Sequence, residues 1–99
     1  SYRALEIALD AYFEKLIKAV EQDDMSQTAH MIKTGFPITM RDNQGNNLLH
    51  RAAQAGSSNV FKYLLKENSK LIMHQNKQGL TPLDVMHDNI KPLLLSLLQ

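Results

Sequence analysis

The chain has 99 residues, 43% hydrophobic and 21% charged, the makeup of one ordinary globular domain and too little chain for two. Its 11 lysines and arginines against 10 acidic residues leave +1, which argues against a dedicated nucleic-acid binder and against electrostatic attachment to a membrane. Without cysteine there is no disulfide and no thiolate metal site, a composition compatible with an intracellular, reducing setting.

No apolar run approaches the roughly 18–20 residues that span a bilayer. Glu6, Asp10 and Glu14 interrupt any signal-peptide core, so neither membrane insertion nor a leader is expected. The chain opens at Ser1 without methionine, which points to a piece of something longer. Leu5, Leu9, Tyr12, Phe13, Leu16, Ile17 and Val20 share one broad helical face and predict a long leading helix, with Asp10 as the place where it can break.

Asp24 followed by Gln27 has the capping-box pattern and opens a second helix; the Asp23-Asp24 pair suits such a helix start, where backbone N–H groups favour negative charge. Gly35–Gly45 then carries Ile38 and Met40 ahead of a polar turn ending in glycine, which reads as an extended, hairpin-like loop. A helix over about Asn47–Ala55 stops at Gly56, and Ser57 can cap the next, about Ser58–Glu67. Val60, Phe61, Leu64 and Leu65 recur at helical spacing there, and Asn68 suits a left-handed end. Asn68–Gly79, with Leu71, Ile72 and Met73, reads as a second extended loop. Thr81 is an N-cap with Pro82 at the first helical position, and Leu93, Leu94, Leu95, Leu97 and Leu98 mark a closing apolar helix.

These elements repeat. Asp42-Asn43-Gln44-Gly45-Asn46-Asn47-Leu48-Leu49-His50 is answered 34 residues on by Asn76-Lys77-Gln78-Gly79-Leu80-Thr81-Pro82-Leu83-Asp84. Leu64-Leu65 answers to Leu97-Leu98, and a more degenerate copy with Leu16, Ala19-Val20, Met31-Ile32 and Gly35 precedes both.

The pattern resembles the ankyrin repeat, a turn-helix-helix unit of about 33 residues with a threonine-proline-leucine-histidine signature. Thr81-Pro82-Leu83 keeps three of those four residues, with Asp84 in the histidine place, and Leu49-His50 keeps the other half. The similarity runs from about Tyr12 to Gln99. It implies an all-α solenoid of stacked helix-turn-helix units joined by hairpin-like loops. Residues 1–99 then form a single domain: about 1–41 are a helical cap plus repeat one, 42–75 repeat two, and 76–99 a repeat three that can be truncated. The second loop is one residue longer than the family period, and Asn68 and Asn89 replace the usual glycines, a swap asparagine tolerates through left-handed geometry.

His30, His50, His74 and His87 are scattered over different units, with no i, i+4 pair, so no metal site is expected. By resemblance His50 is the signature histidine that bonds backbone near its turn. The serines lack a nucleophile elbow and the glycines occur singly, so neither catalysis nor a phosphate-binding loop is expected, and no cofactor. The resemblance implies instead that turn tips and first helices form a concave face for another protein. By position that face comprises Arg41, Asn43, Gln44, Asn46, Arg51, Gln54, Ala55, Gln75, Lys77, Gln78, Leu80, His87 and Asp88, with Lys18 and Gln22 beside them. Amides there offer donors and acceptors to peptide backbone, while Lys18, Arg41, Arg51 and Lys77 favour a neutral or mildly acidic partner. Arg51 and Gln54 are the expected centre. The alternative reading is a regulatory or targeting segment of a larger enzyme, including a bacterial effector acting in a host cell. Either places the chain in the cytoplasm or nucleus, the host's cytoplasm for an effector.

Two further expectations concern packing. Leu49, Leu64, Leu65 and Leu83 should be fully packed. On a helical wheel the C-terminal leucines spread beyond the stripe of about 100° that one buried side needs, so Leu95 should meet further chain, a second copy or a partner.

Overall fold

The computed structural model describes the backbone of residues 2–97 and the surroundings of side chains 11–93, 95 and 96. Five α-helices follow one another among these residues: α1 (Tyr2–Glu21), α2 (Met25–Lys33), α3 (Leu48–Ala55), α4 (Ser58–Glu67) and α5 (Lys91–Leu97). Helix α1 is continuous through Asp10. A break was expected there, but a lone aspartate costs a helix interior well under 1 kcal/mol, roughly, and helps to end a helix mainly at its termini. The side chains of Leu5, Leu9, Leu94, Leu97 and Leu98 lie outside the described residues.

Helices α1 with α2 and α3 with α4 form antiparallel pairs, and the pairs stack with α1 on α3 and α2 on α4. The core follows from that stacking. Leu16 and Val20 of α1, Met31 of α2, Leu48 and Leu49 of α3, and Val60, Phe61 and Leu64 of α4 are completely enclosed. Each such side chain contributes about 1.5–3 kcal/mol on burial. Phe36, just after α2, stacks on Tyr12 at 5.3 Å and on Phe13 at 5.7 Å between ring centres, closing the outer edge of repeat one.

The helix boundaries have identifiable causes. Asp24 accepts from Gln27 N–H at 3.1 Å and starts α2. Asn47 and His50 form a reciprocal box at the start of α3: Asn47 Oδ1 accepts from His50 N–H at 2.8 Å and His50 Nδ1 accepts from Asn47 N–H at 3.1 Å. Gly56 ends α3 at φ 75°, where an added Cβ would collide with the Asn89 amide.

Four local expectations fail. Ser57 does not cap α4; its Oγ donates to the Glu21 carbonyl at 3.2 Å. The cap comes from the preceding repeat: Asp23, left-handed at φ 56°, accepts from Val60 N–H at 2.8 Å and from Asn59 Nδ2 at 3.0 Å. Asn68 is extended at φ −153° and caps a 3₁₀ helix, Ser69–Met73, in the stretch read as an extended loop. That helix turns Leu71 into the core, and Asn68, as its N-cap, takes the extended backbone of a cap, its side chain accepting from Lys70 N–H. Asn89 is not left-handed either, Asp23 being the sole non-glycine with positive φ among the described residues.

Repeat three departs furthest. Thr81-Pro82 does not open a full helix; Pro82–Val85 is a turn. Thr81 N–H and Oγ1 donate to Asp84 Oδ2 at 2.9 and 3.1 Å, so the threonine gives hydrogen bonds to Asp84 and caps nothing. His87 N–H then donates to the Ala53 carbonyl at 2.8 Å, pulling the chain onto the end of α3 before another turn can form. Leu83 is consequently 41% exposed and Leu65 half-buried, whereas Leu49 and Leu64 are enclosed as expected.

Candidate recognition surface

The two turns that project beyond the helices are built alike. In the first, Asp42 Oδ1 accepts from the N–H groups of Gln44 and Asn46, both at 2.9 Å. In the second, Asn76 Oδ1 accepts from Gln78 N–H at 2.9 Å and Leu80 N–H at 3.0 Å. Gly45 and Gly79 take φ 79° and 78°. A short acceptor side chain followed three residues later by glycine is thus the local rule that makes each tip.

The tips are tied to one another. Lys77 N–H donates to the Gln44 carbonyl at 3.0 Å, close enough that a Cβ on Gly45 would strike that amide. Arg41 Nη1 donates to the Gln75 carbonyl at 2.8 Å, and Asn76 Nδ2 to Asn46 Oδ1 at 2.9 Å. Below them His50 Nε2 meets the Leu80 carbonyl at 2.7 Å. That acceptor requires the proton on Nε2, which leaves Nδ1 as the acceptor for Asn47 N–H. Burial pulls the His50 pKa below its usual value, with the Leu80 carbonyl opposing in part, so the ring is neutral at pH 7.

One ion pair belongs to the first turn alone. Arg51 Nε and Nη2 donate to Asp42 Oδ2 at 2.9 and 2.6 Å. Partial burial pushes the Asp42 carboxyl upward, but the Arg51 guanidinium and the N–H groups of Asn46 and Gln44 together hold it below the usual range. Asn76 and Val85, one repeat on, cannot form such a pair.

Among the sequence-derived site residues, Arg41, Asn43, Gln44, Gln75, Lys77 and Gln78 come together as an exposed row on the two tips. Asn46 is not part of it: at 3% exposure it is an internal tie between turns, because its amide faces Asn76 rather than solvent. Leu80 is half-buried with its carbonyl engaged by His50. Arg51 is half-buried and held by Asp42, so it does not offer a free cation at the centre. Gln54 and Ala55 are exposed toward the far end of α3. His87 and Asp88 sit near that end rather than at the tips; Asp88 pairs with Lys91 at 2.9 Å. No cluster of three or more potential metal-binding side chains occurs among the described residues.

Sequence reasoning missed a cleft of about 410 Å³ between α1 and the first turn. Phe13 and Ile17 of α1 and Met40 of the loop give it an apolar lining; Glu14 stands on the α1 side, and Arg41, Asn43 and Gln44 on the turn side. All three apolar residues are half-buried. The spacing of Phe13 and Ile17 on α1 marks them as core, and nothing in that spacing signals that their outer edges stay open.

Paired helices stacked on one another, with polar tips tied along one edge, define a repeat scaffold. The chain belongs to the ankyrin-repeat family, whose profile of three repeat copies matches residues 16–94. It is 32% identical over 73 residues to diacylglycerol kinase zeta of Rattus norvegicus, covering 63% of this chain and 8% of that protein. It is 30% identical over 82 residues to a Rickettsia bellii (strain RML369-C) protein named for its ankyrin repeats, covering 78% of this chain and 12% of the relative. To human diacylglycerol kinase zeta it is 36% identical over 52 residues, 52% of this chain and 6% of the kinase. The chain thus spans only a small fraction of the length of these curated relatives. No helix among the described residues is long and apolar enough to cross a membrane.

Proposed function

We propose that this domain is a non-catalytic module that binds another protein along the face formed by the turn tips, the α1 cleft and the exposed side of α3. The observation that carries this reading is the row of exposed polar side chains on Asn43, Gln44, Gln75, Lys77 and Gln78, fixed in place by turn-to-turn bonds. A surface held rigid before contact loses less entropy on binding. Arg51→Glu is a poor probe, since it would set a second carboxylate against Asp42 and disturb the fold. Gln54→Glu with Lys77→Glu alters side chains that make no hydrogen bond among the described residues. This double variant should keep the wild-type melting temperature and weaken binding of a partner captured by the wild-type domain at least about tenfold, measured by calorimetry. Undiminished binding would remove the face from consideration.

The kinase matches favour a second, compatible reading, in which the same module positions or regulates a larger enzyme. On either reading we propose that the domain acts inside a cell, in cytoplasm or nucleus.

A separate contact surface lies at repeat three, where Leu95 is 66% exposed. Covering one leucine is worth about 1.5–3 kcal/mol, so this end is suited to further chain, a second copy or a partner. Light scattering over a concentration series should show self-association of the isolated domain that Leu95→Lys abolishes. A strictly monomeric wild type would leave only the other two occupants.

A further inference from the structure

We propose that the cleft between α1 and the first turn takes an extended peptide segment with one bulky apolar side chain, flanked by a basic residue on the α1 side and an acidic residue on the turn side. This rests on the recognition face described above and specifies what that face selects. The volume of about 410 Å³ lies toward the low end of the ~300–1,000 Å³ typical of small-ligand pockets, enough for one large side chain and its adjoining backbone. Phe13, Ile17 and Met40 supply the apolar contact.

Charge sets the flanks. Arg51 is neutralised by Asp42 within the cleft wall and drops out. Arg41 is seated on the Gln75 carbonyl at 2.8 Å and, more loosely, the Gly45 carbonyl at 3.5 Å; these fix the guanidinium without cancelling its charge. No carboxylate lies within ion-pair distance of it among the described residues. Glu14, on the opposite wall, likewise meets no cation within that distance among the described residues, and Lys18, one helical turn on, does not line the cleft. Two charges of opposite sign, neither in an ion pair among the described residues, therefore line one cleft with an apolar floor. An occupant that complements one and repels neither must itself be polarised, which is a rule of specificity and orientation more than of raw affinity. A nucleic acid or an anionic lipid surface would be opposed at Glu14.

The test is selection from a displayed library of random twelve-residue peptides, run in parallel on the wild-type chain and on Glu14→Lys. Glu14 is an exposed helical residue, and circular dichroism should show the variant folded. Wild-type selections should converge on an apolar residue with a basic flank on one side and an acidic flank on the other. Glu14→Lys should convert the basic flank to acidic and leave the rest of the motif unchanged. A synthetic, fluorescently labelled wild-type consensus peptide should bind Glu14→Lys at least about tenfold more weakly, and replacing its basic residue by glutamate should restore binding to the variant. Selected peptides that lose binding to the Gln54→Glu, Lys77→Glu variant, yet carry no such flanks or do not switch, would overturn this inference and leave the recognition face standing. Peptides that bind that double variant as well as wild type and carry no such flanks would overturn both. A library that yields no binder also overturns the cleft's assignment.

Discussion

Leu64→Ala should lower the unfolding free energy by about 2–5 kcal/mol, the range for removing a large enclosed side chain. Leu64 is completely buried on α4 and belongs to the single core shared by α1, α3 and α4. A helix pair cannot enclose its apolar face alone, so the void would weaken the seams between repeats and not just one unit. The domain's whole margin is on the order of 5–15 kcal/mol, which makes the loss visible in urea denaturation as a lower midpoint at unchanged slope. A loss below about 0.5 kcal/mol would mean that the side chain is not enclosed as described.

His50→Ala should cost about 2–4 kcal/mol and remove a pH dependence. The substitution strands Asn47 N–H and removes one of the two donors to the Leu80 carbonyl, which keeps Asn76 N–H at 2.9 Å; a stranded buried polar group costs roughly 1–3 kcal/mol, and the lost packing of a fully buried ring adds to it. The sign of the pH effect follows from the lowered pKa. The unfolded chain binds the histidine proton at about pH 6.5 and the folded chain only at lower pH. His50 therefore contributes stability that is complete above about pH 6.5 and is lost as pH falls through its folded value. Asp42, held low chiefly by Arg51 and two backbone amides against a burial effect of opposite sign, acts in a separate window beneath the usual carboxylate range. Denaturation midpoints should fall between pH 7 and pH 5 in wild type and fall much less in His50→Ala. Parallel curves for the two proteins would show that another group titrates.

How much of this could be read from the chain depends on the distance over which each residue acts. The turns at Asp42–Gly45 and Asn76–Gly79 are local, each a short acceptor and a glycine in register, so their period and architecture were legible. The cap at Asp24 was local too, whereas Asn47, read as the first helical residue, is the cap of α3. Asp23 was not local: its partner is Val60, 37 residues away, and nothing beside it shows that its carboxylate serves another repeat's helix. Asn46 looked like a surface amide because asparagine usually is one; its burial depends on Asn76 arriving from the next turn. Arg51 looked free because Asp42 faces it only once the turn has curled back. At Thr81-Pro82-Leu83 the motif was correct and the helix was not, since Asp84 in the histidine place folds onto Thr81 instead of reaching a following repeat.

The ties between repeats are unequally placed, and that governs how the molecule bends. Repeats two and three are joined at both margins: at the tips through Lys77 N–H on the Gln44 carbonyl and Asn76 on Asn46, and at the opposite end of the helices through His87 N–H on the Ala53 carbonyl and Asn89 Nδ2 on the Gly56 carbonyl. Among the described residues, repeats one and two are pinned chiefly at the far margin, where Asp23 and Glu21 hold the start of α4, and at the tips by the Arg41 side chain on the Gln75 carbonyl. Flexure at that first seam is accordingly asymmetric: stiff along one margin and compliant along the other, with the pivot at the Asp23–Val60 bond. The compliant margin is the mouth of the α1 cleft, so a small rotation about the pivot changes its width while the second seam keeps its shape.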